Sequence, residues 1–147
     1  MKKLFIYYSL SGNGDLVAER LSKLGYDPRK VKTKKKMPDG FFWRILKGGF
    51  AAGIGKKEKL DGYDPDVAEY DEIAIGTPVW NGRISCPVNT VLAETDLSGK
   101  KLRFILYAGG GEAPKAAARL EKEYPGSEIT ILKEPKKYPE ELDKLGV

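Results

Sequence analysis

The chain has 147 residues, with 26 basic and 21 acidic side chains, a formal net charge of +5, one cysteine and no histidine. The missing histidine excludes Ser-His-Asp and Cys-His catalysis and histidine-ligated zinc or haem. A single cysteine excludes an intramolecular disulfide. The length suits one domain over residues 1–147, and we expect its reactivity to come from a bound cofactor rather than from its own side chains.

The apolar stretches are too short to export the chain or to span a membrane. The first covers residues 4–8, and the longest later one, residues 41–54, contains Arg44, Lys47 and three glycines. A membrane-spanning helix needs about 20 apolar residues. We therefore expect a protein of the cytoplasm, where single cysteines stay reduced.

Strand-like segments alternate with helix-like segments along the chain. Val17, Leu21 and Leu24 follow the first strand at helical spacing, and similar apolar spacings occur in residues 88–92 and 113–124. Pro139, followed by two glutamates, predicts a last short helix. This alternation predicts an α/β fold with a parallel sheet. The predicted strands are residues 4–8, 29–33, 73–75, 102–107 and 129–132.

Residues 29–36 carry six positive charges, and the rest of the chain is close to neutral. One interpretation is that alternating lysines protect an exposed edge strand from aggregation. The other is a docking patch for an acidic protein, a phosphate group or a nucleic acid. A nucleic acid is the least favoured of these partners because no aromatic residue is interleaved in the run.

Three segments that follow predicted strands are candidates for a binding site, since ligands of open α/β sheets bind beyond the carboxyl ends of the strands. The first is either an anion cradle at a helix start or a simple capped turn. In the second, a tryptophan either stacks on a ligand or packs on the core. In the third, the glycines either let the backbone approach a ligand or form a flexible connector. The candidate residues are Ser9, Leu10, Ser11, Gly12, Asn13 and Gly14 in the first segment, Thr77, Pro78, Val79, Trp80, Asn81 and Gly82 in the second, and Ala108, Gly109, Gly110 and Gly111 in the third.

Through these segments the sequence resembles the flavodoxin-like FMN-binding family, most specifically in Gly-Thr-Pro-Val-Trp at residues 76–80. The resemblance implies a three-layer α/β/α flavodoxin-like fold with a five-stranded parallel sheet of order 2-1-3-4-5. It also implies that the first segment holds the FMN phosphate without a cationic side chain and that the other two flank the isoalloxazine ring. The chain departs from the family at Gly14, where a hydroxyl residue is usual, and at Asp15, which adds a carboxylate. It is also basic, whereas electron-carrier flavodoxins are typically acidic.

The leading functional hypothesis is an FMN-binding redox protein that transfers electrons to a redox partner protein or to a small-molecule acceptor. An FMN-dependent NAD(P)H:quinone-type reductase and a flavin-free basic partner-binding module are the alternatives. The lack of histidine and the short chain favour the carrier. The apolar residues 41–50 predict either the core face of the second helix or a homodimer or partner surface. Cys86, next to Pro87, is expected to be a small buried side chain.

Overall fold

The computed structural model describes residues 2–33 and 59–146. Strands and helices alternate through both parts, as the apolar spacing predicts, and Cys86 is buried at a helix start. The predictions for residues 34–36 and 41–50 lie outside the described residues. The elements are β1 (Lys3–Tyr7), α1 (Asn13–Lys23), β2 (Tyr26–Lys30), β3 (Glu72–Trp80), β4 (Arg83–Ile84), α2 (Cys86–Glu94), β5 (Lys101–Ala108), α3 (Pro114–Glu123), β6 (Glu128–Lys133) and a final 3-10 helix (Pro139–Leu145).

Five parallel strands form the main sheet in the order β2-β1-β3-β5-β6, which confirms the expected order 2-1-3-4-5 for the five predicted strands. The short β4 pairs antiparallel with the end of β3 and gives the described part of the chain one strand more than the sequence predicts. β2 lies at one end of this strand order, as expected for an edge strand. It begins at Tyr26, three residues before the predicted start.

Alternating side chains of the strands build a core on each face of the sheet. Leu4 and Ile6 of β1 pack in one cluster, and Phe5 and Tyr7 pack in the other. The first cluster includes buried residues of α2 and α3, whereas the second includes α1 and the final 3-10 helix. The arrangement is a three-layer α/β/α sandwich, because each helix buries one apolar stripe against the sheet.

No helix in the two described ranges has both the length and the apolar composition that a membrane crossing requires.

A buried carboxylate joins three strands at the amino end of the sheet. Glu72, the first residue of β3, is only 6% exposed. It accepts a hydrogen bond from the Tyr26 hydroxyl of β2, and its other oxygen lies 3.4 Å from the ammonium nitrogen of Lys101 in β5. Burial and the hydrogen bond to Glu72 raise the pKa of Tyr26 to about 12. The phenol is therefore a stable donor to Glu72 at neutral pH.

We expect alkaline pH to destabilise the fold through Tyr26. The folded pKa of about 12 exceeds the ordinary value of 10.0, so this contribution to the free energy of unfolding is complete below about pH 10 and is lost as the pH rises towards 12. Tyr26→Phe should lower the free energy of unfolding at pH 7 by about 1–3 kcal/mol, because Glu72 loses a donor. It should also flatten the alkaline decline.

Urea unfolding at several pH values between 8 and 12 measures both effects. Tyr138→Phe, at a tyrosine that is 37% exposed, is the matched control. An alkaline decline in Tyr26→Phe as steep as in the wild-type protein would contradict this role for Tyr26.

Candidate functional site

The register of the parallel strands brings the three candidate segments to one edge of the sheet. Tyr7 of β1 pairs with Gly76 of β3, and Gly76 pairs with Ile105 of β5. Beyond β1, the Tyr8 amide donates to the Gly76 carbonyl oxygen at 3.1 Å. Ala108 at the end of β5 pairs with Lys133 at the end of β6. The loop that follows β6 therefore reaches the same edge, which the sequence analysis did not anticipate.

Backbone donors converge in the first loop, residues 9–14. The Ser9 side-chain oxygen accepts hydrogen bonds from the amides of Gly12 and Gly14, at 3.1 and 3.0 Å. Gly12 adopts a φ of 98°, which turns the chain into α1 and favours glycine. Within the part of the chain that the structure describes, no hydrogen bond engages the amides of Ser11 and Asn13. The loop thus places several N–H groups together at the positive end of the helix dipole.

A lysine from the far end of the chain lies on this loop. The Lys136 amide donates to Asn13 Oδ1 at 2.9 Å, and its ammonium group donates to the Ser11 carbonyl oxygen at 3.2 Å. Asn13 in turn donates through Nδ2 to the Ser11 hydroxyl at 3.3 Å. The family resemblance implied a first loop without a cationic side chain, and Lys136 is too far along the chain for the local pattern to place it there. The parallel register of β6 was the signal that could have located Lys136.

Because Gly14 has no side chain, the rings of Tyr7 and Tyr107 can lie close to its backbone. A Cβ at this position would lie 2.6 Å from the Tyr107 hydroxyl oxygen and 3.0 Å from Tyr7 Cδ2. Tyr107 donates to the Tyr8 carbonyl oxygen. Burial raises the pKa of Tyr107 well above its ordinary value and is the main cause of the rise of the Tyr7 pKa to about 12. Both phenols are therefore neutral donors around pH 7, and Gly14 is the residue that fits beside them.

The carboxylate of Asp15 has local partners. Its Oδ1 lies 2.9 Å from the Lys30 ammonium nitrogen and accepts a hydrogen bond from the Tyr7 hydroxyl at 3.1 Å. The ion pair joins α1 to β2. Much of the negative charge that the sequence places near an anion site is therefore offset by Lys30.

Residues 77–80 of the second segment are strand rather than loop, which corrects the sequence prediction, and only Asn81 and Gly82 form a turn. Residues 76–80 continue β3, and Trp80 is its last residue. The Trp80 side chain is 1% exposed and meets the Tyr8 ring edge-on, with 6.0 Å between ring centroids. Of the two alternatives for Trp80, core packing describes its position in this structure. A large apolar ring gains more from this burial than from exposure at a loop tip.

Thr77 holds the second segment through buried hydrogen bonds to Ser85. Its hydroxyl oxygen accepts the Ser85 amide at 3.0 Å and lies 2.9 Å from the Ser85 hydroxyl oxygen. Between β3 and β4, Asn81 and Gly82 have φ values of 50° and 79°. Positive φ at both central residues is the geometry of a two-residue hairpin turn. Thr77 is therefore buried, whereas Asn81 is exposed at the edge of the sheet.

The third segment is an open turn after β5. Gly109 and Gly110 are exposed, and a Cβ at either position would meet nothing within 4 Å. Gly111 has a φ of 78° and donates to the Ala108 carbonyl oxygen at 3.1 Å. The backbone at Gly109 and Gly110 is therefore open to solvent and accessible to a ligand.

The residues at this edge offer hydrogen-bond donors and one positive charge that suit an anion such as a phosphate. The first loop offers neutral N–H and hydroxyl donors, and Lys136 adds a positive charge. The open turn of the third segment offers backbone rather than bulky side chains. The described residues hold no cluster of metal-ligating side chains. The chemistry of this donor set suits an anion at the first loop, on the same edge as the open backbone turn of the third segment.

Comparisons with known proteins agree with this geometry. A protein-family model described as Flavodoxin matches residues 2–138. No curated protein matches the chain.

Similar solved structures share the fold over nearly the whole chain. A protein from Bacteroides eggerthii that is assigned to the flavoproteins has 22% identity and a TM-score of 0.78, over 99% of this chain and 98% of that chain. A flavoprotein in complex with FMN from Lactobacillus acidophilus has 23% identity and a TM-score of 0.66, over 87% of this chain and 89% of that chain. Oxidised flavodoxin 2 from Bacillus cereus has 17% identity and a TM-score of 0.53, over 99% and 94% of the two chains.

Proposed function

We propose that this chain, which belongs to the flavodoxin family, binds FMN at the carboxyl edge of its sheet and transfers electrons through it. The observation that carries the proposal is the convergence of amide donors in residues 9–14 at the same edge as the open turn of residues 108–111. The FMN complex of the Lactobacillus acidophilus relative supports the same ligand.

In the proposed complex the first loop binds the phosphate. The amides of Ser11 and Asn13 and the hydroxyls of Ser9 and Ser11 would be the donors, because the Gly12 and Gly14 amides already donate to Ser9 Oγ. Hydroxyl and amide donors at a helix start favour an anion without a covalent bond. The turn at Asn81 and Gly82 and the third segment would lie beside the ring system.

Bound FMN supplies one- and two-electron redox chemistry that the side chains of this protein lack. The first loop would hold and orient the FMN phosphate. The exposed turns at Asn81 and Gly109 would offer backbone hydrogen bonds to the ring system and would leave it accessible to an electron donor or acceptor. Because the chain carries a net charge of +5, an acidic partner would be attracted and an equally basic one repelled.

FMN binding is measured by titrating apoprotein into FMN and following the quenching of flavin fluorescence. We expect saturation at one FMN per chain and visible flavin absorption that stays with the protein on gel filtration. Colourless protein that quenches no FMN fluorescence would contradict the proposal. It would leave the flavin-free partner-binding module as the alternative.

A second assay separates an electron carrier from a reductase. We expect FMN-loaded protein alone to consume no NAD(P)H above the rate of free FMN, and to be reduced when a flavodoxin reductase is added. Rapid NAD(P)H consumption with a quinone and no added reductase would identify the quinone-type reductase instead.

A further inference from the structure

Lys136 stands out among the basic residues at the proposed binding edge. The side chain is exposed, and its ammonium group donates to the Ser11 carbonyl oxygen at 3.2 Å. A Cβ on Gly12 would lie 3.9 Å from both Cδ and Nζ of Lys136. The lysine therefore runs along the outer side of the first loop, next to its turn into α1.

Two neighbouring cations, Lys30 and Lys137, are paired with carboxylates, whereas Lys136 is not. Lys30 pairs with Asp15 at 2.9 Å, and Lys137 pairs with Glu134 at 3.4 Å. Among residues 2–33 and 59–146, no carboxylate lies within ion-pair distance of Lys136. A carbonyl oxygen satisfies one of its donors but leaves its positive charge uncompensated.

Backbone hydrogen bonds hold the segment around Lys136 in place. Its backbone amide is held by Asn13 Oδ1 at 2.9 Å. Just before it, the Glu134 amide donates to the Ala108 carbonyl oxygen at 3.3 Å, and the Lys137 amide donates back to the Glu134 carbonyl oxygen at 2.9 Å. The loop after β6 is thereby fixed to both the first loop and the end of β5, so the backbone of Lys136 is held beside the first loop, within reach of its ammonium group.

We propose that Lys136 is the cation that anchors the phosphate of FMN and makes the protein prefer FMN to riboflavin. The inference rests on the proposed FMN binding and goes beyond it, because the family resemblance implies a phosphate loop without a cationic side chain. The Lys136 side chain would act on the phosphate end of the ligand alone. Its removal should therefore weaken FMN binding and leave riboflavin binding unchanged.

The test compares FMN and riboflavin titrations of four proteins: wild type, Lys136→Gln, Lys136→Arg and Lys137→Gln. We expect Lys136→Gln to weaken FMN binding about 10-fold or more, as the loss of a charged hydrogen bond does. The affinity for riboflavin, which has no phosphate, should change by about twofold or less. Lys136→Arg should keep most of the FMN affinity. Lys137→Gln removes an equal charge one residue away and should change neither ligand.

Salt dependence gives a second readout that a purely structural role would not affect. The FMN affinity of the wild-type protein should fall more steeply with salt than that of Lys136→Gln. Equal weakening of FMN and riboflavin in Lys136→Gln, or no change in either, would overturn the role of Lys136 while leaving FMN binding intact.

If the wild-type protein bound no FMN, the proposed function would fail and inorganic phosphate would test Lys136 instead. Phosphate that raises the Tm of the wild type, relative to chloride at equal ionic strength, but not that of Lys136→Gln would support an anion-binding lysine. An equal rise in both proteins, or a rise in neither, would overturn it.

Discussion

Gly14→Ala is expected to lower the free energy of unfolding by about 1–3 kcal/mol, the usual cost of overpacking. A helical glycine that becomes alanine ordinarily gains about 0.5–1 kcal/mol, so the predicted sign is the reverse of the usual one. The reason is space: the new Cβ would lie 2.6 Å from the Tyr107 hydroxyl oxygen and 2.8 Å from Ser9 Cβ. Because Ser9 accepts the Gly12 and Gly14 amides, the same change should weaken FMN binding.

Chemical denaturation of Gly14→Ala, Tyr107→Phe and the double variant measures this coupling. Tyr107→Phe removes the crowding hydroxyl but leaves the Tyr8 carbonyl oxygen without this donor. The double variant should therefore be more stable than the sum of the single effects predicts, by about 0.5–3 kcal/mol. Gly109→Ala, where a Cβ meets nothing within 4 Å, is the control and should be nearly neutral. Additive single effects would show that Tyr107 does not exclude a side chain at residue 14.

Gly76→Val should be the most destabilising single substitution considered for this chain, at about 3 kcal/mol or more, since overpacking of a rigid core site lies at the upper end of its range. Gly76 lies inside β3, paired with Tyr7 on one side and Ile105 on the other. A Cβ there would lie 2.6 Å from Phe5 Cζ and 2.8 Å from Phe5 Cε1. Phe5 is fully buried and its ring stacks on Tyr7 at 4.9 Å between centroids, so it has no room to retreat.

A compensating substitution tests this packing argument. Gly76→Ala alone should be destabilising, and adding Phe5→Leu, which shortens the obstructing ring, should recover part of the loss in urea unfolding. A strand glycine without close neighbours would instead gain stability on becoming alanine. A neutral or stabilising Gly76→Ala would contradict the packing argument.

The sequence predicted the elements that depend on local pattern. The first helix, for example, follows from Val17 and Leu21 at helical spacing, and both are fully buried. The resemblance supplied the strand order, which the register at Gly76 confirms. What the local pattern could not supply was the contact between Lys136 and Asn13, because these residues are 123 positions apart and meet only once β1 and β6 lie in one parallel sheet.

Trp80 shows the other limit of local reasoning. The sequence placed this residue on a loop and left both ligand stacking and core packing open for its ring. The Asn81-Gly82 pair that follows it also predicts a hairpin, and the structure contains one between Trp80 and Arg83. Whether the residue before such a turn points to solvent or to the core depends on the strand face it occupies. Periodicity over so few residues did not determine that face.

Binding of FMN at one edge of the sheet can be observed through the change of backbone amide NMR shifts when FMN is added to the apoprotein. We expect large shifts at residues 9–14 and 108–111 and at Lys136, and small shifts at Glu72 and Lys101, at the opposite end of the strands. No shifts at all, or shifts concentrated around Glu72, would contradict FMN binding at this edge.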